Sequence, residues 1–203
     1  MAKQRQFDEQ EVLGRISDYF WKHGYSATKV DQLSEITGLT KTSLYNAFGN
    51  KEALFLHSMD FYVEHTLLPS LYRLDTDRAL SENLADVFAH YFTPEQNQQL
   101  DQGCLLTNCL LELAANEPRI YDRVATHFAT IREGMLGFTS VYADTGRLAA
   151  GVSAEDVTDL IMTFLQGLRV QSRNPQPVEL LQRSVDLFLA LVRSVERNDA
   201  RAA

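Results

Sequence analysis

The chain has 203 residues, of which 45% are hydrophobic, so it can bury the core of one or two globular domains. Its formal net charge of −8 argues at first against a nucleic-acid partner. No apolar run approaches the roughly 18 residues of a membrane span, and no N-terminal segment is typical of a secretory signal. We therefore expect a cytoplasmic protein with no membrane partner.

The charge is distributed unevenly along the chain. Residues 1–57 hold seven basic and seven acidic residues and include all five lysines, whereas residues 58–203 hold twelve basic and twenty acidic residues. The acidic second part repels DNA, whereas residues 1–57, called the head below, are neutral overall and carry the lysines. DNA is therefore expected to bind at the head. The net charge is therefore compatible with a DNA-binding head on a larger acidic domain.

The first predicted helix has a complete set of boundary signals. Asp8 and Glu11 form a capping-box pattern at its start, and Gly24 ends it. The apolar residues in between recur at the spacing of one helix face, which predicts a core stripe formed by Val12, Ile16 and Phe20.

Two short helices are predicted next, joined by a tight turn. Thr28 is the predicted N-cap of the first, which ends at Gly38 because glycine adopts the left-handed conformation at little cost. Thr40 is the predicted N-cap of the second, and Asn50 caps a third helix that begins at Lys51. This pattern is typical of a helix-turn-helix followed by a connecting helix.

The second short helix has two different faces. Leu44 and Phe48, four residues apart, anchor one side, and the other side carries the polar set Lys41, Thr42, Ser43, Tyr45 and Asn46. These donors and acceptors lie at the N-terminal end of the helix, which is the end that meets base edges in a helix-turn-helix. A free helix N-terminus beside Lys51 also suits a phosphate group.

The run GYSATKVDQLSEITGLTKTSLYNAFGNKEALF resembles the N-terminal DNA-binding domain of the TetR family of bacterial repressors. The matching pieces are Gly24-Tyr25, Thr28, the segment 33–38, the step 43–45, Phe48 and Lys51-Glu52. The close match covers roughly the first quarter of the chain, and the rest is similar only in its helical layout. Ala47 departs from the family pattern, which has a large aromatic residue or histidine at this position.

The DNA contacts expected from this arrangement fall into two groups. Contacts to phosphates are expected from Thr28, Lys29, Tyr45 and Lys51. The side chains placed for base edges are Lys41, Thr42, Ser43 and Asn46.

The remainder of the chain also reads as helical, with no alternating run that would indicate a strand. Predicted helices cover about 51–66, 80–92, 103–115, 118–142, 153–173 and 178–197, and the first of them stops before Pro69. The predicted fold class is all-α, with a three-helix helix-turn-helix DNA-binding domain over residues 1–52. A helical ligand-binding and dimerisation domain is predicted over residues 53–203.

The last two predicted helices are long and amphipathic and are joined by a short proline-containing turn. Such a hairpin can pair with its copy into a four-helix bundle, or it can simply complete the core of one chain. The family resemblance implies a homodimer on a near-palindromic double-stranded DNA operator, with recognition helices about 34–36 Å apart or a multiple of that. The expected interface residues are Leu160, Phe164, Leu168, Leu187, Phe188 and Leu191.

A small-molecule effector is expected in a pocket between the middle helices, because this is the usual place for a ligand in a helical domain. The resemblance implies that effector binding shifts the linking helix and separates the two heads. Asn108 lies in an otherwise apolar helix, where a buried amide needs a partner. The candidate pocket residues are Tyr62, His65, Phe88, Tyr91, Phe92, Cys104, Asn108, Phe128, Phe138 and Arg169.

Several alternatives remain at the level of sequence. Cys104 lies at a predicted helix start, where a lowered thiol pKa would suit sensing of oxidants or electrophiles, although a buried core cysteine is the commoner case. A helical ligand-binding adaptor with a degenerate head and an activator with the same DNA contacts are the other candidates. No motif of an enzyme is present, and no cofactor is expected. The trio His57, Asp60 and Glu64 could in principle bind a metal, but it is far more typical of a solvated helix face.

Overall fold

A computed structural model of the chain describes residues 7–92, 100–113, 117–175 and 177–197. The described residues form α-helices, a π-helical turn and a short 3₁₀ turn, and the isolated antiparallel bridge between Leu148 and Glu196 lies outside any strand. The prediction of an all-α fold is confirmed.

The helices follow the predicted segments closely. Their bounds are α1 Glu9–His23, α2 Val30–Thr37, α3 Lys41–Phe48, α4 Lys51–Tyr62, α5 Leu68–Leu71, α6 Leu80–Phe92, α7 Leu105–Leu113, α8 Pro118–Asp144, α9 Ala154–Gln171 and α10 Val178–Val195. The predicted end of α7 at Ala115 lies outside the described residues.

Side-chain caps fix the starts of several helices. The Asp8 carboxylate accepts from the backbone N–H groups of Gln10 and Glu11 at the start of α1. At the start of α9 the Ser153 hydroxyl accepts from the Asp156 N–H, and the Asp156 carboxylate accepts in return from the Ser153 N–H. Such caps pair backbone donors that have no partner within the helix, and they were recognisable in the sequence.

The linking helix does not stop before Pro69, so that prediction is wrong. A π-helical turn, Val63–Leu67, follows α4 and leads directly into α5. The Leu68 N–H donates to the Val63 carbonyl across this turn. Pro69 is the second residue of α5, and a proline in a continuing helix removes one backbone N–H donor, so the change of hydrogen bonding in the π-helical turn lies directly before it.

The chain divides into two compact units. The first unit contains residues 1–69 and 104–127, and the second contains residues 70–103 and 128–203. The head helices α1 to α4 share the first unit with α7 and with the first ten residues of α8. The functional division proposed between residues 52 and 53 falls inside α4, and it stays a prediction.

Each unit has its own apolar core. In the first unit α1 packs on α4, and the fully buried side chains include Ile16, Phe20, Leu33, Leu44, Leu54 and Met59. In the second unit α6 packs on α10, and the core contains an aromatic cluster of Phe88, Phe164 and Phe188. Burial of a large apolar side chain stabilises a fold by about 1.5–3 kcal/mol, so these clusters position the surfaces described below.

Candidate nucleic-acid interface

The turn between α2 and α3 is held by short-range hydrogen bonds. Gly38 adopts the left-handed conformation (φ +70°) at the end of α2, as predicted. The Thr40 hydroxyl then accepts from the Ser43 N–H at 3.1 Å and caps α3. Leu33 and Leu44 are fully buried, one on each helix, so they anchor the pair to the core of the first unit.

The outward face of α3 is polar and accessible. Lys41, Thr42, Tyr45 and Asn46 are all exposed, whereas Phe48 on the opposite face is buried. The structure therefore brings four of the predicted DNA contacts together on one solvent-facing surface.

Two of the predicted contacts on α3 already have partners within the head. The Ser43 side chain is half-buried, and its hydroxyl shares a hydrogen bond of 2.9 Å with the Thr40 hydroxyl. The Lys41 ammonium lies 2.5 Å from the Asp31 carboxylate, with both side chains largely exposed. An exposed ion pair is worth about 0–1 kcal/mol, so DNA can displace Asp31 at little cost.

Thr28 is not placed as the sequence suggested. Its side chain is 1% exposed, and its hydroxyl donates to the Gly24 carbonyl at 2.6 Å. The N-cap of α2 is Lys29, whose N–H donates to the Gln32 side chain at 2.8 Å. The prediction of Thr28 as the cap and as a side-chain phosphate contact is therefore wrong, whereas the exposed Lys29 remains available.

Lys51 begins α4 directly after the Asn50 cap, whose side chain accepts from the Ala53 N–H at 2.9 Å. The Lys51 ammonium lies 4.4 Å from the centre of the Tyr25 ring, a cation–π contact. Burial lowers the pKa of Lys51, and the nearby carboxylates of Glu112 and Glu117 oppose that shift. The residue thus presents its charge at the edge of the head beside the turn between α1 and α2.

A carboxylate from α7 holds that turn, and sequence reasoning missed it. Glu112 accepts from the Tyr25 N–H at 3.1 Å and from the Ser26 N–H at 2.7 Å. Gly24 has a positive φ of +78° at the same turn, and a Cβ atom there would lie 2.8 Å from a Glu112 oxygen. No local signal links residues that are 86 and 87 positions apart, so only the folded chain reveals this contact.

Ion pairs also tie α4 to the start of α8. Arg119 lies 2.7 Å from the Glu52 carboxylate. Asp60 accepts from Arg123 at 3.0 Å and is 2.7 Å from the His127 ring nitrogen. These partners account for Asp60, whereas His57 and Glu64 are exposed, and the described residues contain no cluster of three potential metal ligands. 

The predicted effector-pocket residues are divided between the two units. In the first unit Tyr62 is 2% exposed and its ring packs edge-on against Trp21, whereas His65 is exposed and stacks on Phe61. Cys104 is buried and Asn108 is half-buried on α7. The structure therefore places Tyr62 in the core and His65 on the surface, so neither forms the wall of a described cavity.

The second unit contains the other six predicted pocket residues, which are Phe88, Tyr91, Phe92, Phe128, Phe138 and Arg169. The Arg169 guanidinium is buried, lies 4.0 Å from the centre of the Tyr91 ring and 5.5 Å from that of Phe92, and donates to the Gly103 carbonyl at 3.1 Å. The structure thus brings Tyr91, Phe92 and Arg169 together, and their role in effector binding stays a prediction.

Of the remaining three, Phe88 and Phe138 are core residues. Phe88 belongs to the aromatic cluster of the second unit, and Phe138 packs edge-on against Tyr142 with ring centres 5.2 Å apart. Phe128 is half-buried on α8. An aromatic residue at core spacing cannot be told from a pocket residue in sequence, because both require an apolar surrounding.

A cavity of about 230 Å³ lies in the second unit beside Tyr91, whose hydroxyl is hydrogen-bonded to Ser70 and whose ring centre lies 5.0 Å from that of His90. It is lined by Ser70, Arg73, Leu74, Asn83, Asp86, Val87 and His90. Burial lowers the pKa of His90, and the charges of Arg73 and Arg169 lower it further. None of the ten predicted pocket residues lines this cavity, and its polar lining gave no periodic signal in the sequence.

The two cysteines are both buried, which disfavours electrophile sensing through Cys104. Cys104 is 5% exposed and precedes α7, as the sequence indicated, and Cys109 is 3% exposed within that helix. Burial, reinforced by the charge of Glu112, raises the pKa of the Cys109 thiol to about 12. A thiol of this kind is inert because the thiolate is the reactive form.

We therefore expect Cys109 to resist alkylation. In the Cys104→Ser variant at pH 8, iodoacetamide should modify Cys109 roughly 10²–10³-fold more slowly than the same thiol in urea, because a higher pKa leaves less thiolate. The rate should rise as pH rises toward the folded-state pKa. Mass spectrometry of the quenched reaction measures it, and modification at the unfolded rate would contradict the inert assignment.

The predicted dimer residues separate into surface and core. Leu160, Leu187 and Leu191 are exposed by 51%, 64% and 54% on α9 and α10. Leu168 and Phe188 are each 4% exposed, and Phe164 is half-buried against Phe188 with ring centres 3.9 Å apart. Leu168 and Phe188 were wrongly assigned to the interface, because the chain's own packing covers them.

In this site two helices joined by a tight turn are anchored in the core, and the second exposes a polar face to solvent. This arrangement defines the class of helix-turn-helix DNA-binding regulators. A family model described as bacterial regulatory proteins, tetR family, matches residues 17–57. A second, described as tetracyclin repressor-like, C-terminal domain, matches residues 81–188, more than half of the chain. The chain belongs to the TetR family of DNA-binding transcriptional regulators.

Curated relatives agree with this assignment over most of their length. The chain is 24% identical to the HTH-type transcriptional repressor ComR of Escherichia coli K12 over 91% of this chain and 89% of that protein. It is 25% identical to the HTH-type transcriptional repressor BdcR of the same organism, over 89% and 86%.

A solved structure of similar fold contains DNA. The TetR family transcriptional regulator CifR, as a cysteine mutant complexed with a 26-bp double-strand operator DNA, is 26% identical and superposes with a TM-score of 0.77, covering 93% of this chain and 98% of that one. The predictions of a TetR-family repressor and of a non-enzyme are confirmed by the family and its relatives. Within the described residues no helix combines the length and apolar character needed to cross a bilayer.

Proposed function

We propose that the chain is a homodimeric repressor that binds a near-palindromic operator through α3 and is released by a small-molecule effector. One observation carries the DNA-binding assignment: Lys41, Thr42, Tyr45 and Asn46 are exposed on one face of a helix whose other face is buried. In this proposal Lys41, Thr42 and Asn46 face base edges. Ser43 also bonds to a base edge once its hydroxyl gives up the hydrogen bond to Thr40.

Phosphate contacts come from Lys29, Tyr45 and Lys51. Lys29 is exposed at the N-terminus of α2, and Lys51 is at the N-terminus of α4, where free backbone N–H groups and the helix dipole favour an anion. Three lysines, counting Lys41, thus stand at the N-termini of α2, α3 and α4 in a chain of net negative charge. We place this repressor in the cytoplasm, where an operator is accessible.

A second copy is proposed to cover the outward side of α9 and α10. Leu160, Leu187 and Leu191 leave apolar surface exposed there, and a soluble chain gains by burying such a surface. Two-fold pairing would set two α3 helices about 34–36 Å apart, or a multiple of that distance, and would match a palindromic site.

The effector is proposed to bind in the helical domain and to favour a spacing of the heads that does not fit DNA. A coupling of roughly 1–3 kcal/mol between the two sites is typical. The group of Tyr91, Phe92 and Arg169 offers aromatic faces and a buried cation, and the cavity beside His90 offers further donors. The names of the curated relatives support a repressor rather than an activator.

Replacement of Lys51 by alanine tests the phosphate contacts. The variant should bind all DNA sequences more weakly, and the slope of log affinity against log salt should fall by about one per chain, because one phosphate contact is lost. Fluorescence anisotropy at several salt concentrations measures the affinity and its salt dependence, with DNA that flanks the gene encoding this chain as the probe.

A matched control removes a positive charge far along the sequence from the head. Arg183 is exposed on α10, and Arg183→Ala should leave the salt slope unchanged. An unchanged slope in Lys51→Ala would exclude the phosphate role of that lysine, and binding no tighter than to unrelated competitor DNA would overturn the proposed function.

A further inference from the structure

The turn between α1 and α2, residues 24–29, is clamped by a single carboxylate from a distant part of the chain. The two oxygens of Glu112 accept separate backbone N–H groups, from Tyr25 at 3.1 Å and from Ser26 at 2.7 Å. Such two-pronged, charge-assisted bonds are shorter and stronger than neutral ones and fix direction as well as distance. The position of α7 and the position of this turn are therefore not independent.

The turn is shaped to admit the carboxylate. Gly24 has a φ of +78°, and its missing side chain leaves room for the Glu112 oxygen, which would lie 2.8 Å from a Cβ atom. The Gly24 carbonyl also accepts from the Thr28 hydroxyl, so the clamped turn is bonded to the residue two positions before α2. Movement of the carboxylate would thus reach the start of the helix-turn-helix through two hydrogen bonds.

The same carboxylate acts on the proposed phosphate contact at the start of α4. The Lys51 ammonium lies 4.4 Å from the Tyr25 ring, and Glu112 is the strongest of the charges that raise its pKa against the effect of burial. α7 also packs against both α1 and α4. Glu112 therefore bonds to the turn between α1 and α2 and also acts on the charge of Lys51, one of the proposed phosphate contacts.

We propose that Glu112 is a positioning residue that couples α7 to the DNA-binding head. The inference rests on the proposed function, since it assigns a route by which the helical domain acts on the head. Coupling between two sites is reciprocal, so DNA binding at the head must alter α7 if α7 alters DNA binding. This reciprocity allows a test that needs no identified effector.

The experiment compares hydrogen–deuterium exchange of residues 105–113, with and without DNA flanking the gene, in the wild-type chain and in Glu112→Gln. In wild-type protein DNA should change the exchange rates in α7 by several-fold. In Glu112→Gln that response should be lost, and the Tyr25 and Ser26 amides should exchange at least about tenfold faster in the free protein, because an amide side chain cannot accept both N–H groups with a full charge.

Glu117→Gln is the matched control. Glu117 is a second charge that raises the pKa of Lys51, but the acceptor of the two turn amides is Glu112. The control should keep both the protected turn and the response of α7 to DNA. A purely electrostatic effect on Lys51 would instead appear in both variants and overturn the positioning role.

Anisotropy measured on the same samples separates the possible failures. Tight DNA binding with an unchanged α7, or an equal response in Glu112→Gln, overturns the positioning role and leaves the repressor assignment intact. No sequence-specific DNA binding overturns the proposed function and the positioning role with it. Thermal melting of each variant checks folding, and Glu112→Asp provides a second variant that keeps the charge but shortens the reach, so it should also lose the clamp.

Discussion

Replacing Leu187 with aspartate is expected to separate the proposed dimer into monomers and to abolish tight operator binding. Leu187 is 64% exposed on α10, with Leu191 one turn further along, so the substitution should leave the single chain folded. A two-fold interface loses the side chain twice, at about 2 kcal/mol each, which raises the dimer dissociation constant by roughly 10³-fold. Size-exclusion chromatography with light scattering measures the change.

Tyr72 provides the control for this substitution. It is 79% exposed in the segment that follows α5, so Tyr72→Asp introduces the same charge on an accessible apolar residue outside α9 and α10. The control should remain dimeric and should bind DNA normally. A dimeric Leu187→Asp protein would show that α10 does not form the interface, and the monomer-to-dimer ratio at several concentrations would establish this directly.

Replacing Phe188 with alanine is expected to lower the free energy of unfolding by about 3–5 kcal/mol. Phe188 is 4% exposed, stacks on Phe164 at 3.9 Å and meets Phe88 edge-on at 5.6 Å. The truncation removes one ring from a cluster of three and leaves a cavity between α6, α9 and α10. Such a loss is a large part of the stability of a typical domain. Urea denaturation followed by circular dichroism gives the value.

The comparison that isolates packing is the same aromatic-to-alanine change at an exposed site. Tyr72→Ala should alter the free energy of unfolding by no more than about 0.5 kcal/mol. If Phe188 acted only at a dimer interface, its substitution would change stability in a concentration-dependent way and would leave the isolated chain as stable as wild type. A concentration-independent loss assigns it to the core of the chain.

Local chemistry explains why much of this fold was predictable. Asp8, Thr40, Asn50 and Ser153 each cap a helix in the structure, and Gly38 takes the left-handed conformation that ends α2. Each of these signals acts within about four residues, so it can be read from the chain alone. The exposed polar face of α3 was predictable for the same reason, since its apolar side is set by helical spacing.

Sequence reasoning failed where the hydrogen bonds that the chain makes differ from those that the local pattern predicts. Thr28 has the better capping side chain, but its hydroxyl is used by the Gly24 carbonyl and the cap passes to Lys29. Pro69 looked like a helix end, yet the π-helical turn before it shifts the hydrogen bonds so that the chain continues into α5. The two deciding hydrogen bonds run from the Thr28 hydroxyl to the Gly24 carbonyl and from the Leu68 N–H to the Val63 carbonyl, and neither follows from the local capping or proline pattern.

Contacts between distant segments were out of reach for a different reason. Apolar spacing shows that Phe188 faces inward or toward a partner, but it does not show that Phe164 and Phe88 are already there to cover it. The same holds for Glu112, which reads as an ordinary solvated residue until α7 is placed beside the turn at Tyr25. Partner choice between segments depends on tertiary packing, which a single sequence does not encode in any local pattern.

The close approach of Gly24 to Glu112 has a consequence for how this protein can vary in evolution. Any other residue at position 24 would have to adopt a φ of +78°, which strains an L side chain, and its Cβ atom would lie 2.8 Å from the Glu112 oxygen, so the carboxylate would have to swing away from the turn. Homologues with a glycine at this place should tend to retain an acidic residue on α7, whereas those with a larger residue should have lost it. Covariation of positions 24 and 112 among homologues would show that the two residues are kept or lost together.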